Sequence, residues 1–148
     1  MRKALAGLIP LLGLVAVFSA TPASGEDYGS RARALIERQL DAFASGDAVG
    51  AYELASPGIK SIFTDPTIFM EMVRNRYAPV YRHRSAEFGA FSVDGDSDSQ
   101  SLTIVDDNNE VWTAIYKLAR QPDGSWLING CLLIKSDAKD VSRATAAT

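Results

Sequence analysis

The chain has 148 residues, of which 47% are hydrophobic and 22% are charged, and its formal net charge is −3. This length and composition predict a single globular domain that buries a hydrophobic core without needing disulfides. One cysteine cannot form an intrachain disulfide, and one histidine with one cysteine cannot supply the His/Cys cluster typical of a zinc site. We therefore expect no metal and no cofactor, and the acidic charge argues against nucleic acid as a partner.

The N-terminus has the three parts of a secretory signal peptide. Arg2 and Lys3 are basic, residues 4–18 are uncharged and mostly apolar, and small residues continue to Gly25. An apolar run of about 15 residues is shorter than the ~20 that span a membrane, so we predict a cleaved leader at residues 1–25 rather than a retained anchor. Cleavage leaves 13 basic and 18 acidic residues, a net charge of −5. These features predict a bacterial periplasmic or secreted protein that does not contact the membrane.

Three helices are predicted in the first half of the mature chain. Their apolar residues recur at helical spacing, and a capping side chain precedes each of them. The capping residues are Ser30, Asp47 and Asp65. The predicted helices cover residues 30–45, 47–56 and 65–76, and Pro79 forbids continuing the third.

Four strands are predicted in the second half. Each run is rich in β-branched and aromatic residues, and Gly89 marks either a bulge in the first strand or a break between two short ones. The predicted strands cover residues 80–93, 100–106, 111–118 and 125–134. The sequence Pro122-Asp123-Gly124 predicts a tight turn, so that the last two strands form an antiparallel hairpin.

These elements predict an α+β fold, with one domain at residues 26–136 and a flexible tail at 137–148. A bulged sheet of about four antiparallel strands curves, and three N-terminal helices on its concave side would close it into a cone. The mouth of such a cone is a usual place for a small ligand. In the last strand, strict alternation places Trp126 and Ile128 on one face and Cys131 on the other.

Three segments of the chain are similar to one known family. They are GDAVGAYELASP from Gly46, MVRNRYAPVYRHRSAEFG from Met72 and WTAIYKLARQPDGSWLINGCLL from Trp112. The segments resemble a family of small exported bacterial proteins of unknown function, grouped in the superfamily of nuclear transport factor two, ketosteroid isomerase and scytalone dehydratase. The resemblance covers about residues 30–135 and implies the cone-shaped fold of that superfamily. It implies no particular reaction, because the superfamily includes isomerases, dehydratases, hydrolases and plain binding proteins.

The segment from Arg74 to Arg84 is locally basic in an acidic chain. It holds four of the 13 basic residues of the mature chain and the only histidine. On a strand, Arg82 would share a face with Arg84, and Tyr81 would share the other with His83. Arginines that face inward would bind a carboxylate or phosphate, whereas arginines that face outward would make surface ion pairs. Both alternatives stay open.

Three functions fit these features. The first is a non-catalytic module that binds a small, partly apolar ligand, with Arg82 available for an anionic group. The second is a protein-interaction module, such as a homodimer formed through the open sheet face. The residues predicted to line the ligand site are Tyr52, Tyr77, Tyr81, Arg82, His83, Trp112 and Tyr116.

The third function is an isomerase or dehydratase in which His83 acts as general base and a tyrosine as donor. A base of this kind needs a carboxylate partner that tunes it. The candidate partners are Glu53, Glu71, Glu87 and Asp106. Sequence spacing places none of them beside His83, so we rank the enzyme behind the two binding functions.

Overall fold

The structure is a computed structural model that describes residues 25–94 and 97–136. Within those ranges five helices precede four strands. The helices are α1 (Gly25–Ser45), α2 (Ala48–Glu53), α3 (Pro57–Ile62), α4 (Pro66–Arg76) and α5 (Ala78–Tyr81). The strands are β1 (His83–Ser92), β2 (Asp98–Asp106), β3 (Val111–Arg120) and β4 (Trp126–Lys135). The predicted tail, and all but the last residue of the predicted signal peptide, lie outside the described residues.

Helix α1 begins earlier than predicted. We expected Ser30 to cap its N-terminus, but the helix starts at Gly25, and the Ser30 hydroxyl donates to the carbonyl of Asp27 at 2.9 Å. This bond is typical of a serine inside a helix, which bonds to a carbonyl three or four residues before it. The predicted cap at Ser30 was therefore wrong.

Helices α2 and α4 begin at the predicted caps. Asp47 accepts a hydrogen bond from the amide of Gly50 at 2.9 Å, and Asp65 accepts one from the amide of Thr67 at 2.7 Å. Pro66 occupies the first turn of α4, where its missing amide hydrogen would have no helical partner. None of the described helices is long and apolar enough to cross a membrane.

Helices α3 and α5 were not predicted, so the described residues form five helices where we expected three. Ser56 caps α3 by accepting a hydrogen bond from the amide of Ile59 at 3.3 Å, and Pro57 is the first residue of that helix. Pro79 lies in the first turn of α5. We interpreted both prolines only as helix stops, but proline also fits the first turn of a following helix.

The four strands form one antiparallel sheet in the order β1-β2-β3-β4. This confirms the predicted α+β fold with four antiparallel strands. The register of β1 against β2 shifts between Phe88 and Phe91, on either side of Gly89, where an irregularity was predicted. The same pair of strands has another shift between His83 and Ser85, and the pairing of β3 with β4 shifts between Lys117 and Leu118. Irregularities of this kind bend a strand and increase its twist.

The shift in the pairing of β3 with β4 is a bulge in β4. Leu118 pairs with Ile128 and Lys117 pairs with Gly130, so Asn129 has no cross-strand partner. Gly130 has a φ of 151°, which residues with a side chain rarely adopt. Because successive residues of a strand face opposite sides, one unpaired residue reverses the pattern beyond it.

The bulge decides which side chains of β4 meet the helices. Cys131 and Leu133 pack against the core on the same face as Ile128. Leu132 and Ile134 face the other side and are 52% and 47% exposed. Strict alternation had placed Cys131 opposite to Ile128, and this prediction was wrong because it assumed an uninterrupted strand.

The helices pack on one face of the sheet. Helix α1 contacts β1, β2 and β4, helix α3 contacts β4, and helix α5 contacts β1 and β2. Burial of one large apolar side chain in this layer contributes about 1.5–3 kcal/mol to folding. The largest fully buried apolar and aromatic side chains are Ile36, Val80, Leu102, Ile104, Tyr116 and Leu118. The layer between the helices and this sheet face also holds the cavity described next.

Candidate functional site

A cavity of about 390 Å³ lies between the helices and the face of the sheet that they cover. Its walls come from all the helices except α2 and from strands β3 and β4, and most of the lining residues are apolar. The apolar walls include Phe43, Ile59, Phe63, Phe69, Met72 and Ile128. Small-molecule sites have volumes of roughly 300–1,000 Å³, so the volume of this cavity lies within that range. The cavity volume corresponds to about 13 water molecules at ~30 Å³ each.

Helix α4 supplies one wall because its lining residues recur at helical spacing. Phe69, Met72, Val73 and Arg76 follow one another at intervals of three, one and three positions, which places all four on one side of the helix. Tyr77 continues the wall just beyond the end of α4. The helix therefore presents an apolar wall and, in its last turn, one cation.

Tyr52 supports two residues of that wall without lining the cavity. Its hydroxyl donates to the carbonyl of Phe63 at 2.6 Å, in the loop between α3 and α4. Its ring packs against Phe69 with 5.7 Å between the centroids, and Phe63 and Phe69 pack against each other at 6.2 Å. The three rings hold the loop against the first turns of α4.

Tyr116 is one of the most deeply buried residues of the cavity lining. Its side chain is 1% exposed, it pairs across the sheet with Cys131, and its hydroxyl has no hydrogen-bond partner among the described residues. Burial, with a smaller effect of the neighbouring Cys131, raises the pKa of Tyr116 well above its usual value. Burial raises the pKa of Cys131 to about 12. Both groups are protonated at neutral pH, so Tyr116 can donate a hydrogen bond and Cys131 is not a thiolate nucleophile.

Arg76 is an exposed lining residue and is the only charged one among the described residues that line the cavity. In the described part of the chain, no acceptor contacts its guanidinium group. Nearby arginines are engaged elsewhere: Arg74 donates from Nε to the Tyr81 hydroxyl at 3.0 Å, and Arg82 Nε lies 3.9 Å from the carboxylate of Asp107. The positive charge available to the cavity is therefore that of Arg76.

A family model for a domain of unknown function, DUF4864, matches residues 26–141 of this chain. The chain belongs to the DUF4864 family. No curated protein matches it. All residues that line the cavity fall inside the match, so the cavity is part of the DUF4864 domain itself.

Two of the seven residues predicted to bind a ligand line the cavity of the DUF4864 domain, and they are Tyr77 and Tyr116. The strand alternation that we applied to Tyr81 and Arg82 does not hold, because both residues precede β1 and Tyr81 ends α5. The predicted residues that do not line the cavity are Tyr52, Tyr81, Arg82, His83 and Trp112.

His83 lacks the surroundings of a general base in the DUF4864 domain. Its Nδ1 lies 2.8 Å from the carbonyl of Val80, and none of the described carboxylates forms a hydrogen bond with it. Its cross-strand neighbour is Asp106, whose carboxylate accepts hydrogen bonds from two amides of the following turn and from the indole of Trp112. Burial alone would raise the pKa of Asp106, but these hydrogen bonds outweigh it and lower the pKa. Asp106 is therefore an anion that anchors the turn.

Metal chemistry has no support in the described ranges 25–94 and 97–136. No group of three His, Cys, Asp or Glu side chains within them could hold a metal ion.

Three polar cavity residues were not predicted from sequence. Arg76 lies in the basic segment, but we assigned its role to Arg82, and the spacing from Phe69 along α4 was the signal that would have identified it. Gln39 is a buried residue on the apolar side of α1, and no function was assigned to it. The orientation of Cys131 depends on the bulge in β4, and the mid-strand Gly130 was the signal that could have identified that bulge.

Proposed function

We propose that the DUF4864 domain binds a small amphipathic carboxylate, with its apolar part in the cavity and its acid group at Arg76. One observation carries this proposal: the cavity is mostly apolar, and its lining includes an exposed arginine for which the described residues supply no acceptor. A guanidinium group binds a carboxylate through two parallel N–H donors. The proposal moves the anion site from Arg82 to Arg76, because Arg82 does not line the cavity.

The apolar walls would supply most of the binding free energy. Removing apolar surface from water contributes about 25 cal/mol per Å². A ligand of about 13 non-hydrogen atoms, at roughly 0.3–0.6 kcal/mol per atom, would bind with about 4–8 kcal/mol, or a Kd between about 1 mM and 1 μM. An exposed ion pair is worth up to about 1 kcal/mol because water screens it. Arg76 would therefore contribute more to the orientation of the ligand than to its affinity.

Calorimetric titration of the purified protein with decanoate and with decanol tests this proposal. The two molecules share an apolar chain of suitable size, and only decanoate carries a charge. We expect both to bind, with decanoate about 5-fold tighter at low salt. Arg76→Gln should abolish this difference and leave the affinity for decanol unchanged.

Arg38→Gln is the matched control for this experiment. Arg38 is an exposed arginine on α1 that does not line the cavity, so its variant should keep the 5-fold preference for decanoate. The proposal is wrong if neither ligand binds to the wild-type protein. It is also wrong if the two arginine variants lose the preference equally.

A further inference from the structure

The hydroxyl of Tyr116 is buried and has no hydrogen-bond partner among the described residues. A buried hydroxyl without a partner is rare in native proteins and destabilises the folded state, so each such group needs a physical explanation. Tyr116 also lines the cavity. A molecule bound in the cavity is therefore in a position to supply the partner that the protein does not.

Asp98 is the other described residue with a buried and unpartnered side-chain oxygen, and its situation differs. Its second oxygen, Oδ2, accepts hydrogen bonds from Arg120 Nη2 at 2.9 Å and from Trp126 Nε1 at 2.8 Å. The protein's own residues thus anchor the Asp98 carboxylate, which does not line the cavity. None of the residues in the ranges 25–94 and 97–136 anchors the hydroxyl of Tyr116 in this way.

We propose that the ligand of this cavity carries a carbonyl oxygen at its inner end, which accepts a hydrogen bond from the Tyr116 hydroxyl. This inference rests on the proposed function and narrows the ligand class to oxo-carboxylates. The acid group lies at Arg76, the apolar chain lies between α4 and the sheet, and the ketone lies beside Tyr116.

The inner group is an acceptor, because the hydrogen of the Tyr116 hydroxyl is the unused donor. The amide nitrogen of Gln39, another buried lining residue, already donates to the carbonyl of Ala51 at 3.3 Å. The inner group is also neutral, since Arg76 is the only charged lining residue and lies at the exposed end. A second carboxylate at the buried end would be an unpaired buried charge, which is strongly unfavourable.

The test compares decanoate with oxodecanoate, the same chain with a ketone next to its terminal methyl group. In calorimetric titrations of the wild-type protein, we expect oxodecanoate to bind about 10-fold more tightly than decanoate. Tyr116→Phe removes only the hydroxyl, so it should lose the preference and bind the two ligands with equal affinity. Tyr28→Phe is the matched control, because Tyr28 packs against Trp126 and does not line the cavity, and it should keep the 10-fold preference.

Infrared spectroscopy of bound, isotope-labelled oxodecanoate gives a readout that does not depend on affinity. A hydrogen bond lowers the stretching frequency of a ketone carbonyl. We expect a lowered frequency in the wild-type complex, and a return toward the value in an apolar solvent in Tyr116→Phe. An unshifted carbonyl in the wild-type complex would overturn the inference even if the variant did not fold.

The possible outcomes separate the two proposals. Equal affinity of the wild-type protein for the two ligands overturns the inference about the ketone and leaves the binding of an amphipathic carboxylate intact. A preference for oxodecanoate that persists in Tyr116→Phe overturns the inference in the same way. Failure of both ligands to bind overturns both proposals.

Discussion

Two tyrosine hydroxyls near the cavity have opposite hydrogen-bonding states. The hydroxyl of Tyr52 donates to the carbonyl of Phe63 at 2.6 Å. The hydroxyl of Tyr116 is buried without a partner in the described residues. In the absence of ligand, the first group stabilises the fold and the second destabilises it. At the scale of single residues, the cavity therefore contains one polar group, the hydroxyl of Tyr116, whose proposed hydrogen bond depends on a bound molecule.

Removing the hydroxyl of Tyr116 and removing that of Tyr52 should change the free energy of unfolding in opposite directions. Tyr116→Phe deletes an unsatisfied buried hydroxyl, so we expect the free energy of unfolding to rise by about 1 kcal/mol. Tyr52→Phe deletes a formed hydrogen bond and removes that donor from the Phe63 carbonyl, so we expect a fall of about 1 kcal/mol. Urea denaturation of ligand-free protein measures both changes. A fall in Tyr116→Phe as large as that in Tyr52→Phe would show that the Tyr116 hydroxyl has a partner in solution.

At the scale of elements, the bulge in β4 shapes the cavity as much as helix α4 does. It brings one small residue, Cys131, to the cavity lining. An uninterrupted strand would instead turn Leu132 toward the helices, because that residue has the same parity as Ile128. A larger side chain at that place would occupy space that is now open. The extra residue in the strand thus converts a part of the core into a wall of a cavity.

Gly130→Ala should destabilise the protein through the backbone of this bulge. Gly130 has a φ of 151°, and an added Cβ would meet no atom within 4 Å, so the cost comes from the backbone conformation and not from a clash. We expect a loss of about 1–3 kcal/mol in urea denaturation.

Gly29→Ala is the matched control for this substitution. Gly29 lies in helix α1, where an added Cβ would make an ordinary contact of 3.8 Å with Phe91. Alanine is the better helix former, so we expect no loss and a gain of up to about 1 kcal/mol. Equal losses at the two glycines would contradict the role assigned to the φ of Gly130.

At the scale of the whole molecule, the expected export of the protein depends on residues 1–25, most of which lie outside the described ranges. We predict that the complete chain, expressed in a bacterial host, appears in the periplasmic fraction after cleavage behind Ala23 or Gly25. Intact-mass measurement of that fraction tests the prediction. Leu11→Arg interrupts the apolar run and should abolish export. Recovery of the uncleaved chain from the membrane fraction would indicate a retained anchor instead.

The sheet face opposite to the helices is the second feature that concerns the whole molecule. Leu132 and Ile134 are exposed on it, at 52% and 47%. No described residue covers these two side chains, which is why this face could contact a second copy of the chain. The homodimer stays a prediction.

Local sequence signals predicted much of the fold and little of the site. The strands, the caps at Asp47 and Asp65, and the turn at Gly124 follow from residues a few positions apart. The extra helices were missed where Pro57 and Pro79 permitted two local interpretations. For the site, residue type alone selected seven aromatic or basic side chains, and only two of them line the cavity. Aromatic and basic residues also serve the core and the surface, so their type does not reveal their environment.

Local patterns predicted most of the helices and strands, because capping, turn chemistry and periodicity act between near neighbours in the chain. They did not predict what each side chain contacts, because those contacts depend on how the elements pack against one another. Cys131 faces the cavity because of how β4 pairs with β3, and Arg76 does so because of how α4 packs. The hydroxyl of Tyr116 lacks a partner because none of the described residues packed around it offers one. These are contacts between residues far apart in the chain, and local patterns do not encode them.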